Sequence, residues 1–241
     1  MAGHFDHVAI SATPAELAAA VANWLIELVA RTPGRVSMAL SGGETPKALY
    51  EHLAAAPCRE RFDWQRVHWF WGDERCVPHD DAASNFRMVR EAMLDKAPVP
   101  AGNVHVFPVA GPPAEMAAAY ETELKSFYAA TALDPARPLF DVVLLGLGTD
   151  GHTASLFPGS PALDERTRWA APATAPNGQP RLTLTYPALE SCRHAVFLVA
   201  GEGKRTMLAR LQNGDQSLPA ARIKPVGKRW LFADAPAMPA K

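Results

Sequence analysis

DVVLLGLGTDGHTASLFPG, residues Asp141 to Gly159, is the stretch from which the fold is read. Val142, Val143, Leu144 and Leu145 form an unbroken apolar run, the pattern of a parallel strand covered on both faces. Gly146 and Gly148 end that strand in a turn, and Asp150-Gly151-His152 follows at once. An acid and an imidazole two residues apart, just past the carboxyl end of a strand, lie where open α/β sheets bind their ligands. Pro158 and Gly159 close the segment, leaving room for one short helical turn after His152. Gly146 to Gly151 also matches GxGxxG, the dinucleotide fingerprint, but Pro158 truncates the helix that fingerprint requires. A nicotinamide cofactor is not expected.

Three more strand ends repeat the arrangement. Val36–Leu40 runs into Ser41-Gly42-Gly43-Glu44-Thr45-Pro46, where Thr45 reads as a helix cap with Pro46 at the first helical position. Paired glycines at a helix start leave N–H groups open to an anion, although a plain tight turn explains Gly42 and Gly43 equally well. Val67–Trp71 is followed by Gly72-Asp73-Glu74-Arg75, a charged cluster or simply an exposed polar turn. His194–Val199 ends in Gly201-Glu202-Gly203-Lys204, with Lys204 starting a helix.

Between these lie the packing elements. Thr13-Pro14-Ala15-Glu16 is a capping-box start, and Leu17, Val21, Trp24, Leu25, Leu28 and Val29 follow at helical spacing. Helices are also expected from Ser84-Asn85 through Leu94 and from Gly111-Pro112-Pro113 to Ala130. Further strands are read at Val104–Phe107, Trp169–Ala173, Arg229–Phe232 and Arg181–Tyr186, the last alternating as a half-exposed strand does. Alternating strands and helices specify an α/β fold: one domain over residues 1–241, an open, mainly parallel Rossmann-like sheet with helices on both faces. In such a sheet the four ends after Leu40, Trp71, Leu145 and Val199 gather into one crevice.

Composition narrows the function. With a net charge of -1 and no basic stripe, nucleic acid is not an expected partner. No apolar run approaches the ~20 residues of a membrane span, and the N-terminus lacks the pattern of a secretory signal. Cys58, Cys76 and Cys192 are odd in number and form no CxxC pair, which suits reduced thiols in the cytoplasm. His79, Asp80 and Asp81 are adjacent in a loop, a poor metal cage. Monomer and homodimer both remain open.

SGGETP, WGDER, the SN of ASNF, LLGLGTDGHTASLFPG, RLTLTYPAL and GEGK, in that order, resemble the 6-phosphogluconolactonase family over about Ala18 to Ala235. Glucosamine-6-phosphate deaminases share the fold and the Asp-Gly-His core. They look like DEY where this chain has Asp73-Glu74-Arg75, and they carry an acid where it has Phe157. The resemblance implies hydrolysis of 6-phospho-D-glucono-1,5-lactone to 6-phosphogluconate in the pentose phosphate pathway, without metal or cofactor. It casts His152 as the base on water and Asp150 as the group orienting its ring. Arg75, or amides of the Gly146–Gly148 turn, would face the oxyanion. The phosphate would rest on Gly42, Gly43 and the Thr45 helix start, with Lys204 and Arg75 or Arg181 as charge partners. Ser41, Asp73 and Gly148 complete the expected substrate contacts. An isomerase or deaminase on an amino-sugar phosphate, and a non-catalytic sugar-phosphate sensor, are the rival readings. Phe157 and Arg75 weigh against the first, and the lack of any spare DNA-binding segment against the second.

Overall fold

Residues 4–239 are described by a computed structural model. In chain order the elements are β1 (His7–Ser11), α1 (Pro14–Arg31), β2 (Val36–Leu40), α2 (Glu44–Leu53), α3 (Cys58–Arg61), β3 (Val67–Trp71), β4 (Asp73–Arg75), α4 (Asn85–Val89), α5 (Pro113–Tyr128), β5 (Phe140–Leu145), β6 (Ala170–Thr174), β7 (Pro180–Leu184), α6 (Tyr186–Glu190), β8 (Cys192–Val199), α7 (Arg205–Gln212) and β9 (Lys228–Asp234). Six strands form one sheet in the order β1-β9-β8-β5-β2-β3, every neighbouring pair parallel. All of β2 is buried, as is β5 except Asp141, so both faces of the central strands are covered. This is why their sequences are predominantly apolar, with Val142 to Leu145 an unbroken run.

From β2 the chain steps outward to β3, and β5 then returns on the other side of β2. The order therefore reverses between β2 and β5, which places the ends of those two strands at the topological switch point. Register aligns the ends: Leu40 pairs with Trp71, Ala39 with Val143 and Leu145 with Phe197.

The α1 start follows its sequence closely. The Thr13 hydroxyl accepts from the Glu16 N–H at 3.2 Å, and the Glu16 carboxylate reaches back to the Ala12 N–H at 2.9 Å. Leu17, Val21, Leu25 and Val29 are buried, each contributing about 1.5–3 kcal/mol of transfer free energy. Trp24 is half-buried at the rim, packed on Trp230 and His194.

Several expectations are corrected. β4, β7 and β6 form a second, antiparallel sheet, so Arg181–Tyr186 is no half-exposed strand: Leu182, Thr183 and Leu184 are all buried in its centre. Val104–Phe107 makes a single bridge, Val104 to Trp69, rather than a strand. Thr45 does not cap α2; the helix begins at Glu44 on Gly43, whose φ of 102° only glycine adopts readily. The segment after His152 is not helical. Thr153 bridges Leu156 around Ala154, whose φ is 48°, because the Ser155 hydroxyl is drawn to Asp73 at 2.6 Å and its N–H to Thr183.

Candidate active site

Four strand ends open into one crevice of about 510 Å³, lined among others by Ser41, Asp73, Arg75, Gly148, His152 and Lys204. The turn after β5 holds its chemistry. Gly148 donates its N–H to the His152 carbonyl at 2.8 Å and accepts from Gly151 at 3.0 Å, closing a tight loop. Inside that loop the Asp150 Oδ1 meets the His152 Nδ1 at 2.6 Å and the His152 N–H at 3.1 Å. Only glycine fits at Gly148, since a Cβ there would lie 2.1 Å from the His152 Nδ1. Burial raises the Asp150 pKa, but the His152 N–H and ring outweigh it and hold the carboxyl below its ordinary value. A carboxylate on Nδ1 favours the tautomer that carries its proton there and leaves Nε2 as the acceptor, and Nε2 has no partner among the described residues. The Phe157 ring tilts against the imidazole at 4.7 Å.

The β2 end supplies another wall of the crevice. The Tyr50 hydroxyl, buried beneath the loop, donates to the Ser41 carbonyl at 2.8 Å and accepts its N–H at 3.0 Å. Gly42 lies directly under the Asn85 side chain, and a Cβ there would sit 2.0 Å from its Oδ1. The first intrahelical bond of α2 runs from the Lys47 N–H to the Gly43 carbonyl, so the Glu44 and Thr45 N–H groups at the helix start are open. Lys204, half-buried across the crevice, forms no ion pair among the described residues.

β4 adds Asp73 and Arg75. The Arg75 Nη1 donates to the Ala83 carbonyl, while its buried Nε has no acceptor among the described residues. Arg181 stands directly opposite Arg75 on β7, outside the crevice lining, and bonds Gln179 at 3.1 Å. Burial first, and then the Arg75 charge, depress its pKa. Sequence reasoning also passed over Glu74. It is buried, and its carboxylate accepts the N–H groups of Arg75, Asn85 and Phe86, each at 2.7 Å, and the Ser84 hydroxyl at 3.1 Å. Its place within the WGDER run was the available signal. Asn85, the second residue so missed, bridges the Asp73 carbonyl at 2.9 Å and covers Gly42. His79 bonds the Phe107 carbonyl, and no metal-binding group of three or more side chains occurs among the described residues.

A parallel α/β sheet whose switch-point crevice faces a bare helix start and an Asp–His pair defines an open α/β protein with its ligand crevice at the carboxyl ends of the strands. The chain belongs to the family of glucosamine-6-phosphate isomerases and 6-phosphogluconolactonase, whose model matches residues 12–232. It is 45% identical over 204 residues to 6-phosphogluconolactonase of Synechocystis sp., covering 83% of this chain and 82% of that one. Its structure resembles 6-phosphogluconolactonase from Thermotoga maritima, with a TM-score of 0.79, 28% identity, and coverage of 95% of this chain and 98% of the other. A monomeric glucosamine-6-phosphate deaminase shares the fold, with a TM-score of 0.81, 18% identity, and coverage of 96% and 98%.

Proposed function

We propose that this chain hydrolyses 6-phospho-D-glucono-1,5-lactone to 6-phospho-D-gluconate, a step of the pentose phosphate pathway, with residues 1–241 acting as one domain. The observation that carries the reading is the His152–Asp150 pair at 2.6 Å, its outer ring nitrogen without a partner among the described residues, with His152 lining the crevice that also holds the open start of α2. The His152 Nε2 takes a proton from water as its oxygen attacks the lactone carbonyl carbon. Asp150 stabilises the resulting imidazolium and fixes the ring tautomer. Collapse of the tetrahedral intermediate breaks the bond to the ring oxygen, which receives the proton back from His152.

The oxyanion needs donors, each typically contributing about 3 kcal/mol. Because the Gly148 N–H is already bonded to the His152 carbonyl, the role passes to Arg75 or to the amides of Gly146 and Leu147. The phosphate rests on Gly42, Gly43 and the α2 start, with Lys204 as charge partner. Arg75, which lines the crevice, is preferred over Arg181, which does not. Ser41 and Asp73 contact the sugar. Phe157 argues against the deaminase reading, because an apolar ring packs on His152 where that chemistry would need an acid. No helix among the described residues is long and apolar enough to cross a membrane. Three unpaired thiols accord with a cytoplasmic location.

A pH-stat assay on freshly made lactone, corrected for spontaneous hydrolysis, tests the reading. His152→Ala is expected to lower the rate at least ~100-fold while phosphate still binds. Full activity in that variant removes His152 from the mechanism.

A further inference from the structure

The same strands that open the crevice at their carboxyl ends carry a second cleft at their amino ends. It has a volume of about 510 Å³ and is lined by Arg31, Arg35, Arg137 and Arg193, with Asp141 as its one carboxylate. Arg35 directly precedes β2, whose five residues span about 16 Å to the crevice. The lone carboxylate is already engaged. The Asp141 Oδ2 accepts the Ser37 N–H at 2.9 Å and the Ser37 hydroxyl at 3.3 Å, and its Oδ1 accepts from the Arg193 Nε at 3.2 Å. Arg31 pairs with Glu27 only in an exposed contact, of little energetic weight.

Arginines often gather near helix C-termini to satisfy bare carbonyls, and α1 and α5 both end here. That need is met from elsewhere at α1. Arg66, outside the cleft, donates to the carbonyls of Val29, Thr32 and Gly34. At α5 the Ala129 and Ala130 N–H groups bond the Ser126 and Lys125 carbonyls, and Arg35 bonds the Phe127 carbonyl at 2.8 Å. The Arg137 guanidinium donates to no protein acceptor among the described residues. Two of these groups lie over aromatic rings: the Arg35 Cζ is 4.1 Å from the Phe127 ring centre, and the Arg137 Cζ is 4.1 Å from that of Tyr128. Cation–π contact restrains both groups and so lowers the entropy lost when a ligand is gripped.

From this excess of guanidinium groups over carboxylates, with the Arg137 group left without an acceptor among the described residues, we infer that the cleft is a second anion site, separate from the crevice, for a small molecule carrying a diphosphate group. Guanidinium forks match phosphate oxygens bidentately, and several forks in one cleft favour an anion with more than one charged centre. The volume admits a metabolite-sized ligand.

Titration calorimetry with inorganic pyrophosphate, and in a second arm with adenosine 5′-diphosphate, tests this on the full chain. Relative to the unaltered protein, Arg35→Gln/Arg137→Gln is expected to lose one equivalent of pyrophosphate binding, or at least tenfold in its affinity, with lactone turnover within twofold. Lys204→Ala should retain that equivalent. Tighter binding of the nucleotide assigns the site to nucleotide diphosphates; equal binding assigns it to the free diphosphate. Should the first variant fail to fold, Arg31→Gln/Arg137→Gln alters only exposed groups and reads the same loss. Unchanged stoichiometry and affinity in a folded variant overturns the inference.

Discussion

At the scale of single residues, the adjacency of Asp150 and His152 in the sequence already contained the pair, because a two-residue step around Gly151 folds an acid onto its neighbour's ring nitrogen. What the sequence did not contain is why Gly148 must lack a side chain. A Cβ at Gly148 would come within 2.1 Å of the His152 Nδ1 and 2.7 Å of the Asp150 Oδ1. Gly148→Ala is therefore expected to push the pair apart and lower kcat by at least tenfold, with KM little changed because the phosphate wall lies on a different loop. Wild-type kcat in that variant would show that the pair need not be intact. Lys204→Ala should do the reverse. Losing one charge-assisted contact of about 1.5–3 kcal/mol raises KM roughly 10- to 100-fold and leaves kcat nearly untouched, since the phosphate is held alike in ground and transition states. An unchanged KM would take Lys204 out of the phosphate site. Arg181 was grouped with Arg75 through the family resemblance; their cross-strand pairing on β4 and β7, invisible in one dimension, sets them side by side, yet only Arg75 lines the crevice.

At the scale of elements, legibility followed burial. β2, β3, β5 and β8 were readable because each is mostly apolar and mostly buried. β1 escaped because it is an edge strand of alternating exposure, and β4 because Asp-Glu-Arg has no strand propensity and exists only through pairing with β7. The short β4 is fixed by Glu74. Burial raises the carboxyl's pKa, partly offset by the N–H groups of Asn85, Phe86 and Arg75. This one side chain joins β4, which carries Asp73 and Arg75, to the start of α4, whose Asn85 presses on Gly42. Glu74→Gln turns one acceptor oxygen into a donor facing other donors, at a cost of about 1–3 kcal/mol. The expected result is a lower urea midpoint together with a higher KM for lactone, since the Gly42 loop loses its support. Unaltered stability and unaltered KM would show that the carboxylate does not brace the site.

At the scale of the molecule, strand order made the site. The reversal between β2 and β5 brings four loops distant in sequence to one edge, and alternation of elements was enough to anticipate their convergence. The second sheet was not anticipated, because its register is set by tertiary contact rather than by any local pattern. The sheet also makes a histidine at its far end sensitive to pH. His194, on β8, accepts the Trp230 indole N–H on its Nδ1 at 3.0 Å and packs edge-on to Trp24 at 5.5 Å. Burial lowers its pKa, and the nearby Asp141 only partly opposes this. Above the unfolded value of about 6.5 the ring is neutral in both states and contributes no pH dependence. As pH falls below that value the unfolded chain gains a proton that the folded chain resists, so stability declines until the lowered folded pKa is passed. Glu74 and Glu190, whose pKa values burial raises, act in the opposite direction on acidification, so the His194 contribution must be isolated by difference. His194→Asn keeps an acceptor near the Nδ1 position but does not titrate, leaving the other groups common to both proteins. Urea midpoints measured at pH 8 and pH 5.5 should show the stability of the unaltered protein, relative to the variant, shrinking at the lower pH. A difference that stays constant would mean that the folded protein protonates His194 as readily as the open chain does.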